Sequence, residues 1–272
     1  MPETTHEALV RQTATAEELL SYFQGQRDQF NQDVADAQAA YGALAATLKA
    51  VVKDEMFATI NFKPNEAAVD FSENGHIRNW DEYLQWVYQI PKGGYARLIM
   101  HEGTLEVTSN ISVTFIGAND LRFEAAAGLA TRPILKIMGY DNVTYNRIYS
   151  LNPGSYGSVS IFGCDLEVEV PANPAVPTAN GMKAIISQSV PCSLHLQQCK
   201  VTCPAGFGLV QQTQGSHIDF ASYLCEFDGP FVAVQKHGAL GTARIGASNL
   251  TLSNGASLHA AGFTLGQDLI KS

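Results

Sequence analysis

The sequence predicts a mainly β protein: a right-handed parallel β-helix solenoid preceded by an N-terminal α-helical coiled-coil segment, assembling as a trimer. Three observations predict it. Apolar residues near the N-terminus recur at alternating steps of three and four, and four segments of the C-terminal half share one apolar pattern at intervals of 35, 24 and 25 residues. The composition, with 23 glycines and 16% charged residues in a chain of 272, suits a surface of short polar side chains rather than the Glu/Lys-laced surface of helical proteins.

Residues 14–55 contain no proline and two glycines. Leu20, Phe23, Arg27, Phe30, Val34, Ala37, Tyr41, Leu44, Leu48 and Val51 follow one another at steps of 3, 4, 3, 4, 3, 4, 3, 4 and 3, with Arg27 the only charged member. These are the a and d positions of a coiled coil, and the nine uncharged members are the predicted oligomerisation residues. Packing of an amphipathic helix on its own globular domain is the alternative, since Ala37, Tyr41 and Gly42 weaken the seam. A lone helix of this length has nothing local to pack against, so copies of itself supply the partner. Phe and Tyr at such positions fit a core wider than a dimer's. Residues 1–13 are read as a flexible peptide, serving for attachment or simply disordered.

Residues 56–94 read as a linker and a capping helix. "KPN" and "SENG" mark turns. Asn79 caps a helix that begins at Trp80, Asp81 and Glu82 favour its first turn, and Trp80, Leu84, Val87 and Tyr88 share a face until Pro91 and the Gly93-Gly94 pair end it. "ARLIMHEGTLEVTSNISVTFIG" then alternates apolar residues around Glu102-Gly103, which fits two strands and a tight turn.

Residues 95–272 carry the repeat. "SVSIFGCDLEV", "SLHLQQCKVTC", "HIDFASYLCEF" and "TARIGASNLTL" each read as two alternating apolar positions, four residues, then two more. The slots align as Val159/Leu194/Ile218/Ala243, Ile161/Leu196/Phe220/Ile245, Leu166/Val201/Cys225/Leu250 and Val168/Cys203/Phe227/Leu252. Between them Ile186, Val210, Val234 and Leu258 sit 24 residues apart. Three short strands per repeat, in fixed order, predict a coil whose inward side chains stack rung upon rung. The longer first interval absorbs the Pro-rich loop "PANPAVPTANG".

The same alignment bears on the cysteines. "CSLHLQQCKVTC" packs Cys192, His195, Cys199 and Cys203 into twelve positions, a ligand density that raises the question of zinc. In the repeat Cys199 takes the slot of Cys164, Tyr223 and Ser248, and Cys203 that of Val168, Phe227 and Leu252. His195 points outward while Cys203 replaces a hydrophobe, so the four do not converge. Five free thiols and no metal or other cofactor are expected, with oxidation of a stacked Cys164 and Cys199 conceivable in vitro.

A short helix followed by "IPKGGYARL", then strands and rungs, resembles the approach to the pectate-lyase-like β-helix domains of bacteriophage tailspikes and tail fibres. There a helix and a P-x-G-x-Y turn lead into the first rung. Pro91, Gly93 and Tyr95 match the turn, and Gly94 departs from the Thr often found before the Tyr. The resemblance covers roughly residues 75–265. With the coiled coil in front it implies a homotrimeric virion structural protein, synthesised in the host cytoplasm, attached to other tail or baseplate proteins and directed at host cell-surface polysaccharide.

Charge and outward positions narrow the function. A net charge of −9 without a Lys/Arg cluster argues against nucleic acid as a partner. "MPETTHEALV" has neither a basic nor an apolar leader region, and no run of about 18 apolar residues predicts a membrane anchor. Ser187, Gln211, Gln235 and His259 form a predicted outward column of amides and hydroxyls that suits sugar hydroxyls, and equally suits plain solvation. It holds no carboxylate, which counts against a pectinase-like enzyme. The weak catalytic candidates are His195 with Asp219, on the predicted column Ser160/His195/Asp219/Arg244, and Glu167 with Glu226, on Glu167/Thr202/Glu226/Thr251. A solvated ladder of alternating charges explains them as well. A receptor-recognising tail fibre, a polysaccharide-degrading tailspike and a non-phage β-helix adhesin are the three functional expectations, in that order.

Overall fold

The computed structural model describes residues 4–72, 74–91, 93–111, 118–141, 146–153, 156–170, 183–188, 191–213, 217–237 and 242–260. The chain divides into two compact units, Met1–Asp54 and Glu55–Ser272. The first is a helix that, with its last residues beyond the unit boundary, spans Thr5–Met56. It starts earlier than residue 14 because Thr4 and Glu7 form a capping box: Thr4 Oγ1 accepts from the Glu7 amide at 3.4 Å while a Glu7 carboxylate oxygen accepts from the Thr4 amide at 2.9 Å. The same bonds from Thr4 hold the Glu7 carboxyl below its ordinary pKa. Leu20, Phe23, Phe30, Val34, Tyr41 and Leu44 are all exposed on this helix. Leu48 and Val51 continue the spacing, but their side chains lie outside the described residues. No described helix is long and apolar enough to cross a membrane.

The second unit is mainly β, in three sheets whose pairing is parallel apart from the antiparallel strand Asn146–Ile148. Sheet I has eight strands in the order His76–Ile77, Phe57–Phe62, Gly94–Met100, Ala118–Ala125, Ser158–Phe162, Cys192–Gln197, His217–Tyr223 and Thr242–Ser248. Sheet II stacks Thr104–Val107, Ile134–Asp141, Asp165–Glu169, Lys200–Thr202, Glu226–Asp228 and Thr251–Ser253; sheet III stacks Ala184–Gln188, Gly208–Thr213, Val232–His237 and Ser257–His259. From Cys192 onward the chain visits sheets I, II and III in turn, three times over. Such an order is compatible with a β-helix.

The residues predicted to link the units already build the sheet. Phe57–Phe62 pairs in register with Gly94–Met100, from Phe57 opposite Tyr95 to Phe62 opposite Met100. Between them the short helix Trp80–Val87 is capped by Asn79, whose side-chain oxygen accepts from the Glu82 amide at 3.0 Å. Its buried face is Trp80, Tyr83, Trp86 and Val87, whereas Leu84 is only partly buried and Tyr88 is exposed. The aromatic rings decide this: Tyr83 stacks on Trp80 at 5.0 Å and meets Phe123 of sheet I at 5.6 Å.

Alternation along most strands of sheets I and II supplies much of the core. Gly94–Met100 and Cys192–Gln197 bury every second residue, and Ile60, Leu98, Phe123, Ile161 and Leu196 are superposed in one column. Each large apolar side chain so buried contributes about 1.5–3 kcal/mol. The register, however, is not a uniform 24. Leu194 faces Phe220 and Val201 faces Phe227, steps of 26, while Ile218 faces Ala243 and Phe227 faces Leu252, steps of 25. The expected slots Leu194/Ile218 and Val201/Cys225 are therefore two residues out. The extra residues sit in "CPAGF", the longer connection from sheet II to sheet III. In sheet III, Ile186, Val210 and Val234 superpose as predicted, but His259 rather than Leu258 is opposite Val234.

These shifts also relocate the cysteines. Gln198 donates to the Tyr223 carbonyl and Glu226 to the Cys199 carbonyl, so Cys199 lies beside Cys225, not Tyr223. All five thiols are free and buried. Cys192 is inward on sheet I, and Cys199 is inward where the chain bends towards sheet II, whereas His195 takes the outward side of its strand. Among the described residues no three His, Cys, Asp or Glu side chains converge as metal ligands.

Candidate functional site

The outward face of sheet I carries a trough. Ser160, His195, Ala221 and Gly246 are in register on successive strands. The side chain at that position shrinks from imidazole to methyl to hydrogen, so the surface drops beneath its neighbours over the last two strands. One flank is the column Phe162, Gln197, Tyr223 and Ser248; the other is Ser193, Asp219 and Arg244. Two adjoining recesses, of about 380 and 360 Å³, share His195, Ala221 and Gly246 and so form one continuous depression.

Its chemistry is mixed. Tyr223 is 46% exposed and offers a ring face, and Arg122 lies over the Phe162 ring at 4.2 Å, a cation–π contact that holds the lower end of this wall. Gln197 brings an amide, while Ser193 and Ser248 bring hydroxyls. On the opposite wall His217 Nε2 is 3.4 Å from Asp219 Oδ1. That oxygen is buried and accepts no hydrogen bond among the described residues. Asp219 is the only carboxylate among the described residues lining either recess.

The predicted site residues separate into three places. His195 and Asp219 both line the trough, but on neighbouring columns, because Asp219 faces Ser193 while His195 faces Ala221. The imidazole within 4 Å of Asp219 is that of His217, two residues away on the same strand, and not that of His195. Glu167 and Glu226 are on sheet II and do not share a column: Glu167 and Asp228 face Thr202, whereas Glu226 faces Lys200. The Lys200 ammonium lies 3.5 Å from both Glu226 and Asp228, so Glu226 belongs to a surface charge ladder.

The third group is the amide column. Gln211 is fully buried and Gln235 nearly so. Ser187 Oγ is 3.2 Å from Gln211 Oε1, and the Ser187 amide donates to Asn152 Oδ1 at 3.1 Å. The residues beside them, Ile185, Leu209 and Ala233, are buried too, so this sheet is covered on both faces. Ser187, Gln211 and Gln235 are therefore a covered column, not an outward binding one: Ser187 and Gln211 meet by a hydrogen bond, Gln235 Oε1 is buried without a partner among the described residues, and His259 is displaced from the column by the register of the last strand. Sequence reasoning missed Tyr223, Ala221, Gly246 and His217. The signal was the pair of small residues in register with His195, and it becomes legible only with the 26-residue step in hand.

Comparison of the chain with protein-family models, with curated proteins and with solved structures gives no match.

Proposed function

We propose that this chain is a homotrimeric bacteriophage tail fibre, with the N-terminal helix as a coiled-coil stalk and Glu55–Ser272 as a right-handed parallel β-helix that touches host cell-surface polysaccharide. The carrying observation is the contrast between a buried β unit and a helix spanning Thr5–Met56 whose seam of Leu20, Phe23, Phe30, Val34, Tyr41 and Leu44 is exposed. Leaving such a stripe in water forfeits about 1.5–3 kcal/mol per large side chain, which association of copies recovers. The resemblance of "IPKGGYARL" and its flanking elements to phage β-helix proteins supplies the setting: a virion part, held by another tail or baseplate protein.

The trough supplies the contact with sugar. A tyrosine ring stacks on the apolar face of a pyranose, and amide, imidazole and hydroxyl groups meet its hydroxyls. Mass measurement in solution is the direct test. Three copies per particle support the stalk, and a monomer ends it. Binding of the purified trimer to polysaccharide from a panel of bacterial surfaces tests the trough.

A tailspike that cleaves the polysaccharide is the second reading, favoured by the presence of His195 and Asp219 in one depression. It lacks a second carboxylate among the lining residues, and the two-carboxylate route of glycoside hydrolysis requires one. Release of oligosaccharides from a bound polysaccharide would promote this reading over the first. An adhesin of non-phage origin with the same architecture is the third, and identification of the chain in purified virions excludes it.

A further inference from the structure

Three of the five cysteines occupy one column inside the β unit. Where the chain bends from sheet I to sheet II, Gly163, Gln198, Leu224 and Asn249 all take left-handed backbone conformations, with φ of 67°, 55°, 53° and 53°. The next residues are Cys164, Cys199, Cys225 and Leu250. The register of Cys199 on Cys225 is held on both sides, by the Gln198 amide on the Tyr223 carbonyl at 2.9 Å and the Glu226 amide on the Cys199 carbonyl at 3.0 Å. The same local conformation at each bend aims successive Cα–Cβ bonds the same way. Strands in register lie about 4.7–4.9 Å apart, inside the range of about 4.4–6.8 Å that Cα atoms joined by a disulfide span.

The three thiols differ in their surroundings. Cys164 Sγ sits 3.8 Å from Met100 Sδ, and burial pushes its pKa up to about 12. Cys199 Sγ lies 3.3 Å from the Ile161 carbonyl and Cys225 Sγ 3.3 Å from the Tyr223 carbonyl, and the influence of each thiol on the other raises the pKa of Cys199 and lowers that of Cys225. A thiol that ionises more readily, beside a second thiol one strand away, is the arrangement a two-step oxidation uses. Cys225 is 3% exposed, and the residue that covers it on the next rung, Leu250, is only partly buried, so a reagent little larger than water has a short way in.

We propose that Cys199 and Cys225 are a redox pair that hydrogen peroxide converts into a disulfide, tying two successive rungs together. In the first step the Cys225 thiolate attacks one peroxide oxygen. The O–O bond breaks, and the departing hydroxide takes up a proton as water, leaving a sulfenic acid. In the second, Cys199 gives up its proton and its sulfur attacks that of Cys225, the S–O bond breaks, and the hydroxyl leaves with the proton as a second water. Two thiols and one peroxide become one disulfide and two waters. The link closes a loop through residues 200–224 and restricts the unfolded chain, while Cys164, buried beside Met100, stays reduced.

The test is a peroxide titration of the full chain, followed by alkylation and fragment-level peptide mapping, since Cys192 and Cys203 share the tryptic peptides of Cys199 and Cys225. The expected result is a Cys199–Cys225 link with loss of two hydrogens and alkylation of Cys164, Cys192 and Cys203. Thermal unfolding should shift upward by several degrees and return on reduction. Cys199→Ser should leave a sulfenic acid on Cys225 that a carbon nucleophile traps, and Cys164→Ser should leave the link intact. A Cys164–Cys199 link, a sulfinic acid on Cys225 beside alkylated Cys199, or alkylation of all five thiols overturns the proposal. The wild-type map decides alone if a variant fails to fold.

Discussion

Phe23 and Phe30 of the N-terminal helix are 63% and 66% exposed, whereas Phe62, Phe123, Phe220 and Phe227 of the β unit are at most 1% exposed. The same side chain thus has two fates in one chain. In the β unit the strands of three sheets turn their apolar side chains to a shared core, so one copy of the sequence is enough to bury its own apolar residues. The helix presents its apolar stripe from Leu20 to Leu44 in the open, with every large described member of the seam exposed. Local pattern therefore carries different information in the two regions: in the strands it describes a core inside the chain, and in the helix it describes an exposed apolar stripe.

Breaking the helix side of this contrast should have the largest effect. Phe23→Asp combined with Phe30→Asp places charges at two successive d positions of the seam, and the particle mass in analytical ultracentrifugation should fall threefold to that of one chain, with loss of most helical circular dichroism. An unchanged mass would mean that the seam is not the contact. On the β side, Phe227→Ala removes a ring packed between Phe220 at 6.3 Å and Phe231 at 5.7 Å. Denaturant unfolding should show a loss of about 3–5 kcal/mol with the trimer mass retained. Loss of the trimer by this change would tie the two regions together more closely than the contrast allows.

Two smaller effects sharpen the picture of the β surface. Tyr223→Ala removes the exposed ring of the trough without touching the core, and polysaccharide binding should weaken about tenfold, ~1.4 kcal/mol, with unfolding unchanged. The smallest effect concerns the short helix. Burial alone would raise the pKa of Glu82, but hydrogen bonds from the Arg78 side chain and amide and the guanidinium charge outweigh it and hold the carboxyl below its ordinary 4.5. A depressed folded pKa stabilises the fold above the unfolded value and loses that contribution as the pH falls through the folded one. The midpoint temperature of the β unit should therefore drop by a few degrees below about pH 4.5, and Glu82→Gln should flatten that part of the profile.

The sequence was most legible where a single chain segment sets the answer. Asn79 as a cap, Trp80 as the first helical residue and the alternation of Gly94–Met100 follow from local chemistry, and the structure has them. It was least legible at the trough. Placing Asp219 opposite His195 came from a 24-residue step, and the strand pairs at 26, with Asp219 opposite Ser193. A shift of two residues leaves every inward side chain inward, so the apolar pattern cannot detect it. The columns that line the surface, by contrast, exchange partners: His195 keeps Ser160 but meets Ala221 in place of Asp219. Gln211 shows a different limit: its amide reads as an outward group, and only the burial of Leu209 and Ile185 beside it reveals that both faces of sheet III are covered.

What the sequence determined by itself, then, is which residues alternate, where a helix starts and stops, and which positions are apolar, because these depend on side chains within a few residues of one another. The tertiary structure alone decided which strand position meets which: His195 beside Ala221, Cys199 beside Cys225, and His259 rather than Leu258 against Val234. The physical reason is that strand geometry fixes a period of two, while the lengths of the intervening turns, free to grow by one or two residues, set the phase between paired strands.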